Sequence, residues 1–547
     1  MKIALAQLNY LIADFEGNRQ KIITSIHKAK EQGAELVVFS ELSVTGYYPH
    51  DLLEKKEFIL KAIDTVREIA AQCTGISALV GAPAINDGER GKKLFNAAYF
   101  LRDGEICDIF CKTLLPTYDI FDEYRHFEPN RHFHLLETDT HRIAVTICED
   151  LWDELPVHSE FGKDKLCQAS PLGELMIMNP SMIINLSASP FSSDQENWRK
   201  EVLAAKAKMT GLPLIYVNQV GADAEMIYDG GSLFFSPSGE IISELAYFTE
   251  DFRVVDTGEI YIQEVQPPLS KTEKMRKALV LGIRDYFRKS GFSGAVLGLS
   301  GGIDSALVAV LAVEALGAAN VRGLLMPSAY SSQHSIDDAV LLAQNLGIAY
   351  HSVPIQDTVE SFSGALAPLF GNLPADVTEE NIQARTRGVL LMAFSNKFGH
   401  IVLNTSNKSE SAVGYGTLYG DMVGGLVVLG DVYKTEVYQL ADLVNREKEI
   451  IPRNTILKAP SAELRPGQKD SDSLPEYNLL DKILFHYIEL NKSPEEIASQ
   501  GIDPAQVRKV IAMVNRNEYK RAQTAPILRI TSKSFGSGRR MPLVGRY

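Results

Sequence analysis

At 547 residues the chain is too long for one ordinary core, and roughly 150 residues per domain predicts two large domains or three to four smaller ones. Its 45% hydrophobic and 23% charged residues exclude intrinsic disorder. A net charge of −14, from 55 Lys and Arg against 69 Asp and Glu, excludes a protein that holds long nucleic acid by bulk electrostatics, but leaves room for a nucleotide in a local pocket.

The opening MKIALAQLNYL is interrupted by Gln7 and Asn9, too broken for a signal peptide and patterned as a buried first strand. A helix is expected over 18–32, and short β-branched runs follow at 35–39, 78–82, 97–101, 143–147, 182–186, 214–218 and 232–235. LRDGE (101–105) and SPSGE (236–240) are turn signals, so some strands connect through hairpins. This half predicts a mixed α/β layered domain with two sheets, over 1–262. QEVQPPLSK, with adjacent prolines, marks a linker over 263–272, and a second domain follows over 273–547. That half begins with an amphipathic helix over 274–290, the strand GAVLGL, a glycine turn and a helix from 304, then RGLLMP and AYHSVPI with helical stretches between. Strand–helix alternation predicts a doubly wound parallel sheet. The most apolar helix-like run, 306–319, carries Glu314 and is too short to span a bilayer. The expectation is a soluble, cytoplasmic protein with no membrane partner. Five cysteines (Cys73, Cys107, Cys111, Cys148, Cys167) are an odd number, which argues against a disulfide framework. Cys107 and Cys111 lack the second ligand pair that zinc requires.

Two groups of residues carry chemistry. Glu41 follows ELVVFS, Lys112 follows EICDIFC, and Cys148 follows RIAVTI and precedes Glu149 and Asp150. Each ends a predicted strand, where α/β proteins place functional side chains. Together they could open an amide: a thiol to attack, a carboxylate to take its proton and pass it to departing ammonia, and an ammonium with a backbone N–H to hold the oxyanion. Singly, each has a plainer reading, as a small buried apolar group for the cysteine and solvated charge for the others. A Cys–His hydrolase is the rival, but no papain- or caspase-like signature surrounds Cys148.

SELSVTGY around Glu41, CKTLLPTYDIFDEYRHF at and after Lys112, ICEDLW around Cys148, NLSASPF and YDGGS resemble the nitrilase/amidase superfamily over essentially residues 1–260. The resemblance implies an α-β-β-α sandwich with Glu41 as general base, Lys112 as oxyanion stabiliser, Cys148 as the thioester-forming nucleophile and Glu123 as a second glutamate. In glutamine-using members it also implies Tyr118, Phe121, Glu149 and Ser189 as glutamine contacts. Two positions depart from the pattern: Tyr48, where relatives often carry proline, and Gln195, where some carry a basic residue.

The second group is GLSGGIDS (Gly298, Leu299, Ser300, Gly301, Gly302, Ile303, Asp304 and Ser305), joining a strand to a helix. Backbone N–H groups of a glycine turn at a helix N-terminus cradle phosphate, and glycine lets the oxygens approach. Asp304 would repel bare phosphate, which points to an intervening Mg²⁺. No Gly-Lys-Ser/Thr closes the loop, so it is not a Walker A motif. The string resembles the ATP pyrophosphatase family, which implies an adenine nucleotide alpha hydrolase-like fold and cleavage of ATP to AMP and pyrophosphate. NIQARTRGVLLMAFSN, LNTSNKSE, GYGTLYGDMVGG, GDVYKTEVYQLA, PSAELRPGQKDSDSLPEY and NEYKRAQTAPILRITSKSFGSGRRMP resemble the NAD⁺ synthetases, through nearly all of 270–547. That resemblance implies Thr405 on ATP, Lys408 and Lys434 facing its phosphates, and Glu410 beside Asp304 at the metal or on the dinucleotide. Asn381, Arg385 and Lys520 fall on the deamido-NAD⁺ side. Over its whole length the chain resembles the glutamine-hydrolysing members, which implies L-glutamine, ATP and deamido-NAD⁺ as substrates, an ammonia tunnel, and a homodimer through the second domain, in some relatives a larger homo-oligomer. A glutamine-dependent, AMP-forming amidotransferase acting on another carboxylate is the alternative.

Overall fold

The computed structural model describes residues 1–153, 169–193, 196–259, 261 and 265–545. Gln195 and Cys167 lie outside the described residues, as does part of the expected linker. The chain divides into two compact units: Met1–Phe191, Gln195–Ala222 and Ile227–Pro268 form the first, and Ser192–Asp194, Asp223–Met226 and Leu269–Tyr547 the second. Among the described residues no helix is long and apolar enough to cross a membrane.

In chain order the first unit's strands are β1 (Lys2–Gln7), β2 (Leu36–Val38), β3 (Ser77–Ile85), β4 (Leu94–Arg102), β5 (Glu105–Cys111), β6 (Leu136–Glu137), β7 (Arg142–Ile147), β8 (Met182–Ser187) and β9 (Leu214–Asn218). The short pair β10 (Val220–Asp223) and β11 (Met226–Asp229) precedes β12 (Leu233–Phe235), β13 (Ile241–Glu244) and β14 (Asp251–Asp256). They build two six-stranded sheets, in the orders β14-β1-β2-β3-β4-β5 and β13-β12-β9-β8-β7-β6. In each sheet three central strands run parallel, β1-β2-β3 and β7-β8-β9, and antiparallel strands flank them. LRDGE and SPSGE turn β4 into β5 and β12 into β13. One apolar cluster joins the facing sides: Ile3, Leu5, Val38 and Phe100 from one sheet, Val145, Ile147, Ile184 and Val217 from the other. The helices Phe15–Glu31 and Lys56–Ala70 cover the outer face of the first sheet, and the helices Pro171–Met176 and Glu196–Thr210 cover the second. The result is an α-β-β-α sandwich, in which side chains at strand ends emerge at one rim.

The second unit holds one parallel sheet, β15 (Gly294–Gly298), β16 (Val321–Leu325), β17 (Ala349–Ser352), β18 (His400–Asn404) and β19 (Leu426–Val427), in the order β17-β16-β15-β18-β19. The order reverses at β15, so a crevice opens beyond its carboxyl end and that of β18. The helix Ile303–Leu316, buried from Ser305 to Ala312, lies directly after β15. A separate helical core follows the sheet, where Leu480, Ile483, Leu484 and Ile488 of the helix Tyr477–Ile488 meet Val507, Val510, Ile511 and Val514 of the helix Pro504–Arg516.

Candidate active sites

In the first unit β2, β5 and β7 deliver Glu41, Lys112 and Cys148. β3 passes the backbone after β2 so closely that a Cβ on Gly81 would stand 2.3 Å from the nitrogen of Leu42. Lys112 extends the β4–β5 ladder, its N–H donating to the Asn96 carbonyl at 2.8 Å. Cys148 opens a 3₁₀ turn, Cys148–Leu151, with φ +42°, a left-handed conformation uncommon for a residue with a side chain. Asp150 fixes that turn by accepting from the N–H groups of Ile147 (3.1 Å), Thr113 (3.0 Å) and Leu114 (2.9 Å). The same carboxylate therefore ties the nucleophile's turn to the chain just past Lys112, and burial pushes its pKa up to about 6.

Lys112 Nζ donates to Glu41 Oε1 at 2.7 Å and to Glu123 Oε1 at 2.8 Å, and all three side chains are sealed from solvent. Asn96 Nδ2 also reaches both carboxylates, at 2.7 and 3.2 Å, and Tyr47 Oη donates to Glu123 at 2.6 Å. The N–H of Ala188 donates to Glu41 Oε2 at 3.1 Å. Burial pushes Glu41 up to about 7 against the opposing pull of Lys112. Burial alone would lower the Lys112 ammonium, yet Glu123 and Glu41 hold it well above the ordinary lysine value. Burial, then Glu41, raise the Cys148 thiol. It rests protonated, and among the charges that act on it the Glu41 carboxylate acts most strongly.

The expected glutamine contacts gather around this cysteine. Ser189 Oγ lies 3.6 Å from Cys148 Sγ, Tyr118 Oη donates to Glu149 Oε1 at 2.7 Å, and the Tyr118 and Phe121 rings meet edge-on at 5.7 Å. Burial raises Glu149 to about 7. Tyr48 donates to the Asp122 carbonyl at 3.3 Å. Sequence reasoning missed Tyr47, Asn96 and Asp150, which lie inside motifs or apolar runs with no periodicity of their own.

In the second unit GLSGGIDS turns β15 into its helix, and Gly302 is the N-cap. Gly301 has φ +77°, and a Cβ there would stand 2.2 Å from the Ser335 carbonyl oxygen. Ser300 and Ser305 hydroxyls face each other at 3.1 Å. A cavity of about 300 Å³ opens beyond the turn, lined by residues 298–300 and 302–305 with Thr405, Glu410 and Lys434. Lys434 Nζ stands 2.5 Å from Asp304 Oδ2 and 3.3 Å from Glu410 Oε1, and Asn407 donates to Asp304 Oδ1 at 2.9 Å. Burial raises Glu410 to about 8. Asp304 and Glu410, each partly exposed to the cavity, meet at one ammonium, and their hard oxygen donors suit Mg²⁺.

Lys408 is a correction. Its ammonium is fully buried away from this cavity, held by Asp431 (2.8 Å), Glu489 (2.5 Å), Thr531 (2.9 Å) and the Lys533 carbonyl (2.8 Å). With four partners in the protein it has no donor left for a phosphate. Asn381, Arg385 and Lys520 gather on the loop 414–418 instead of the cavity wall: Asn381 accepts from Thr417 Oγ1 at 2.7 Å, Arg385 donates to the Leu418 carbonyl at 3.2 Å, and Lys520 to those of Gly414 and Gly416 at 2.8 and 2.7 Å. Two cations that the sequence reading missed do line the cavity. Arg387 Nε donates to the Met326 carbonyl at 3.0 Å, and Lys458 Nζ to Ser335 Oγ at 3.0 Å. Burial lowers the pKa of both. Arg387 sits one place beyond Thr386 in QARTRG, so the basic pair of that motif was the available signal.

The carbon-nitrogen hydrolase family model matches residues 2–268, and the NAD synthase model residues 275–524. The glutamine-dependent NAD(+) synthetase of Synechocystis sp. is 46% identical over 99% of this chain and 98% of its own, and that of Thermotoga maritima is 41% identical over 100% and 99%. The solved Acinetobacter baumannii glutamine-dependent NAD⁺ synthetase, in complex with adenosine diphosphate, superposes with a TM-score of 0.78 at 40% identity, covering 99% of this chain and 98% of that one. The Cytophaga hutchinsonii enzyme shares the fold at 22% identity, with a TM-score of 0.84 over 100% and 98% of the chains. With a buried thiol–carboxylate–ammonium site in one unit and a glycine-turn cavity in the other, the chain belongs to the glutamine-dependent NAD⁺ synthetase family.

Proposed function

We propose that the chain hydrolyses L-glutamine at Cys148 and spends the ammonia on deamido-NAD⁺ at the cavity beyond GLSGGIDS. The observation that carries this is the sealed Glu41–Lys112–Glu123 cluster beside a protonated cysteine. As Cys148 Sγ attacks the carboxamide carbon, Glu41 takes the thiol proton. Lys112 and the N–H after the nucleophile hold the oxyanion. The C–N bond breaks, Glu41 returns the proton to the leaving ammonia, and water deprotonated by Glu41 cleaves the thioester to glutamate and thiol. Glu123 and Asn96 position Lys112. Tyr118, Phe121, Glu149 and Ser189 hold the glutamine.

In the second unit the nicotinate carboxylate attacks the α-phosphorus of ATP and pyrophosphate departs. Ammonia then attacks the acyl carbon and AMP leaves, giving NAD⁺. The turn from Gly298 to Ser305 and Thr405 hold ATP, with Lys434, Arg387 and Lys458 meeting phosphate charge. Asn381, Arg385 and Lys520 hold the dinucleotide, with Glu410 at its edge. Asp304 and Glu410 would hold Mg²⁺, which when bound offsets the charge of the departing pyrophosphate. The family resemblance supports a homodimer through residues 273–547, a linker over 263–272 and a glutaminase domain over 1–262, in the cytoplasm.

The test is NAD⁺ formation from deamido-NAD⁺, ATP and Mg²⁺, with glutamine or ammonium, in the wild type and Cys148→Ala. The variant should lose glutamine-driven synthesis and keep ammonium-driven synthesis. Glutamine use at the wild-type rate would overturn the nucleophile. Failure with both nitrogen sources in the wild type would overturn the acid substrate.

A further inference from the structure

Among the described residues, one His/Asp/Glu group whose ligand atoms lie close enough to hold a metal ion is His126 with Asp51 and Glu54, and it serves none of the chemistry above. His126 Nε2 lies 3.4 Å from Asp51 Oδ1 and 3.7 Å from Glu54 Oε1, and the three ligand atoms all fall within 4.8 Å of one another. The imidazole is 5% exposed and the two carboxylates face solvent. His126 Nε2 is buried with no hydrogen-bond partner. The other ring nitrogen has a partner. His126 Nδ1 is 2.7 Å from Tyr48 Oη, and that hydroxyl donates to the Asp122 carbonyl. In the tautomer in which the hydroxyl gives its proton to that carbonyl, it accepts from Nδ1–H, and the Nε2 lone pair is left beside the two carboxylates. A metal-bound histidine is fixed in this way, by a hydrogen bond from its distal nitrogen.

We propose that His126 Nε2, Asp51 and Glu54 form a transition-metal site of the zinc class. Ligands at about 2.0–2.1 Å around a tetrahedral ion stand roughly 3.3 Å apart, close to the two separations above. An imidazole donor favours zinc, cobalt or nickel over magnesium or calcium. The exposed carboxylates leave the fourth position to water. Arg125 Nη2 approaches Asp51 Oδ1 at 3.1 Å and Glu54 Oε1 at 3.8 Å, and its side chain is half exposed, so it competes with the ion and can turn outward. The ion would join the 3₁₀ turn His50–Glu54 to the turn Glu123–Arg125, which carries the glutamate that holds Lys112.

The test titrates the full chain, freed of metal by chelation and without nucleotide, with Co²⁺ and then Zn²⁺. The wild type should take up one more equivalent than the Asp51→Asn/Glu54→Gln double variant. That equivalent should show visible d–d bands without a thiolate charge-transfer band, and Zn²⁺ should displace it. Zn²⁺ should raise the Tm of the wild type and not of the double variant, and Arg125→Ala should bind several-fold more tightly. Equal stoichiometry in wild type and double variant, a thiolate band on the extra equivalent, or no uptake by the wild type would overturn the site.

Discussion

Glu41 and Glu123 share a single ammonium: Lys112 Nζ donates to both, at 2.7 and 2.8 Å, with all three side chains fully buried. Lys112→Met should lower glutamine-driven kcat by about 10²–10³-fold, as for loss of an oxyanion donor. It also leaves two buried carboxylates unpaired, so the first unit should lose about 3–5 kcal/mol. Ammonium-driven synthesis in the same preparation, with denaturant unfolding beside it, separates the two effects.

The pH dependence follows from Glu41. Its carboxyl is raised to about 7 by burial, so below that pH it carries a proton and cannot accept one from Cys148. Glutamine-dependent kcat/KM should rise with pH and level off above about 7. Glu149 is raised to about 7 as well, and contacts Tyr118. In Glu149→Gln the glutamine KM should rise while the Glu41 inflection stays.

Lys434 and Lys408 should fail in different ways. Lys434→Met removes a cation that lines the cavity, and synthesis should fall by at least about 10²-fold from either nitrogen source. Lys408→Met strands Asp431 and Glu489 in the interior, and should cost about 3–5 kcal/mol. Rates at low temperature and thermal unfolding of both variants distinguish a lost contact from a lost fold.

Gly301→Ala should abolish AMP formation while glutamate release from glutamine persists. The added methyl meets the Ser335 carbonyl oxygen at 2.2 Å, in a backbone with φ +77°. Separate assays of glutamate and AMP would show the split.

Legibility tracked the range of the interactions. Glu41, Lys112 and Cys148 could be placed because each follows a short β-branched run, and a strand end is a local property. β14 could not, because its residues are mostly half-buried and its partner is β1, with Lys2 opposite Asp256. The helix Tyr477–Ile488 shows apolar positions at helical spacing, but nothing local says that Val507 and Val510 complete its core. Lys408 was misread for the same reason. Within NKSE it resembles a phosphate-facing lysine, and Glu489, 81 residues on, decides otherwise.

The burial of Cys148 also governs how the protein responds to chemical labelling. Alkylation needs a thiolate and a path to it, and this thiol is buried and held protonated, whereas Cys107 is exposed. Of the described cysteines, a shapeless alkylating reagent will consume Cys107 before Cys148 and leave synthesis running. An electrophile built on a glutamine skeleton brings its own binding contacts and recruits Glu41 to free the thiol, so it reports occupancy of the glutamine pocket one cysteine at a time.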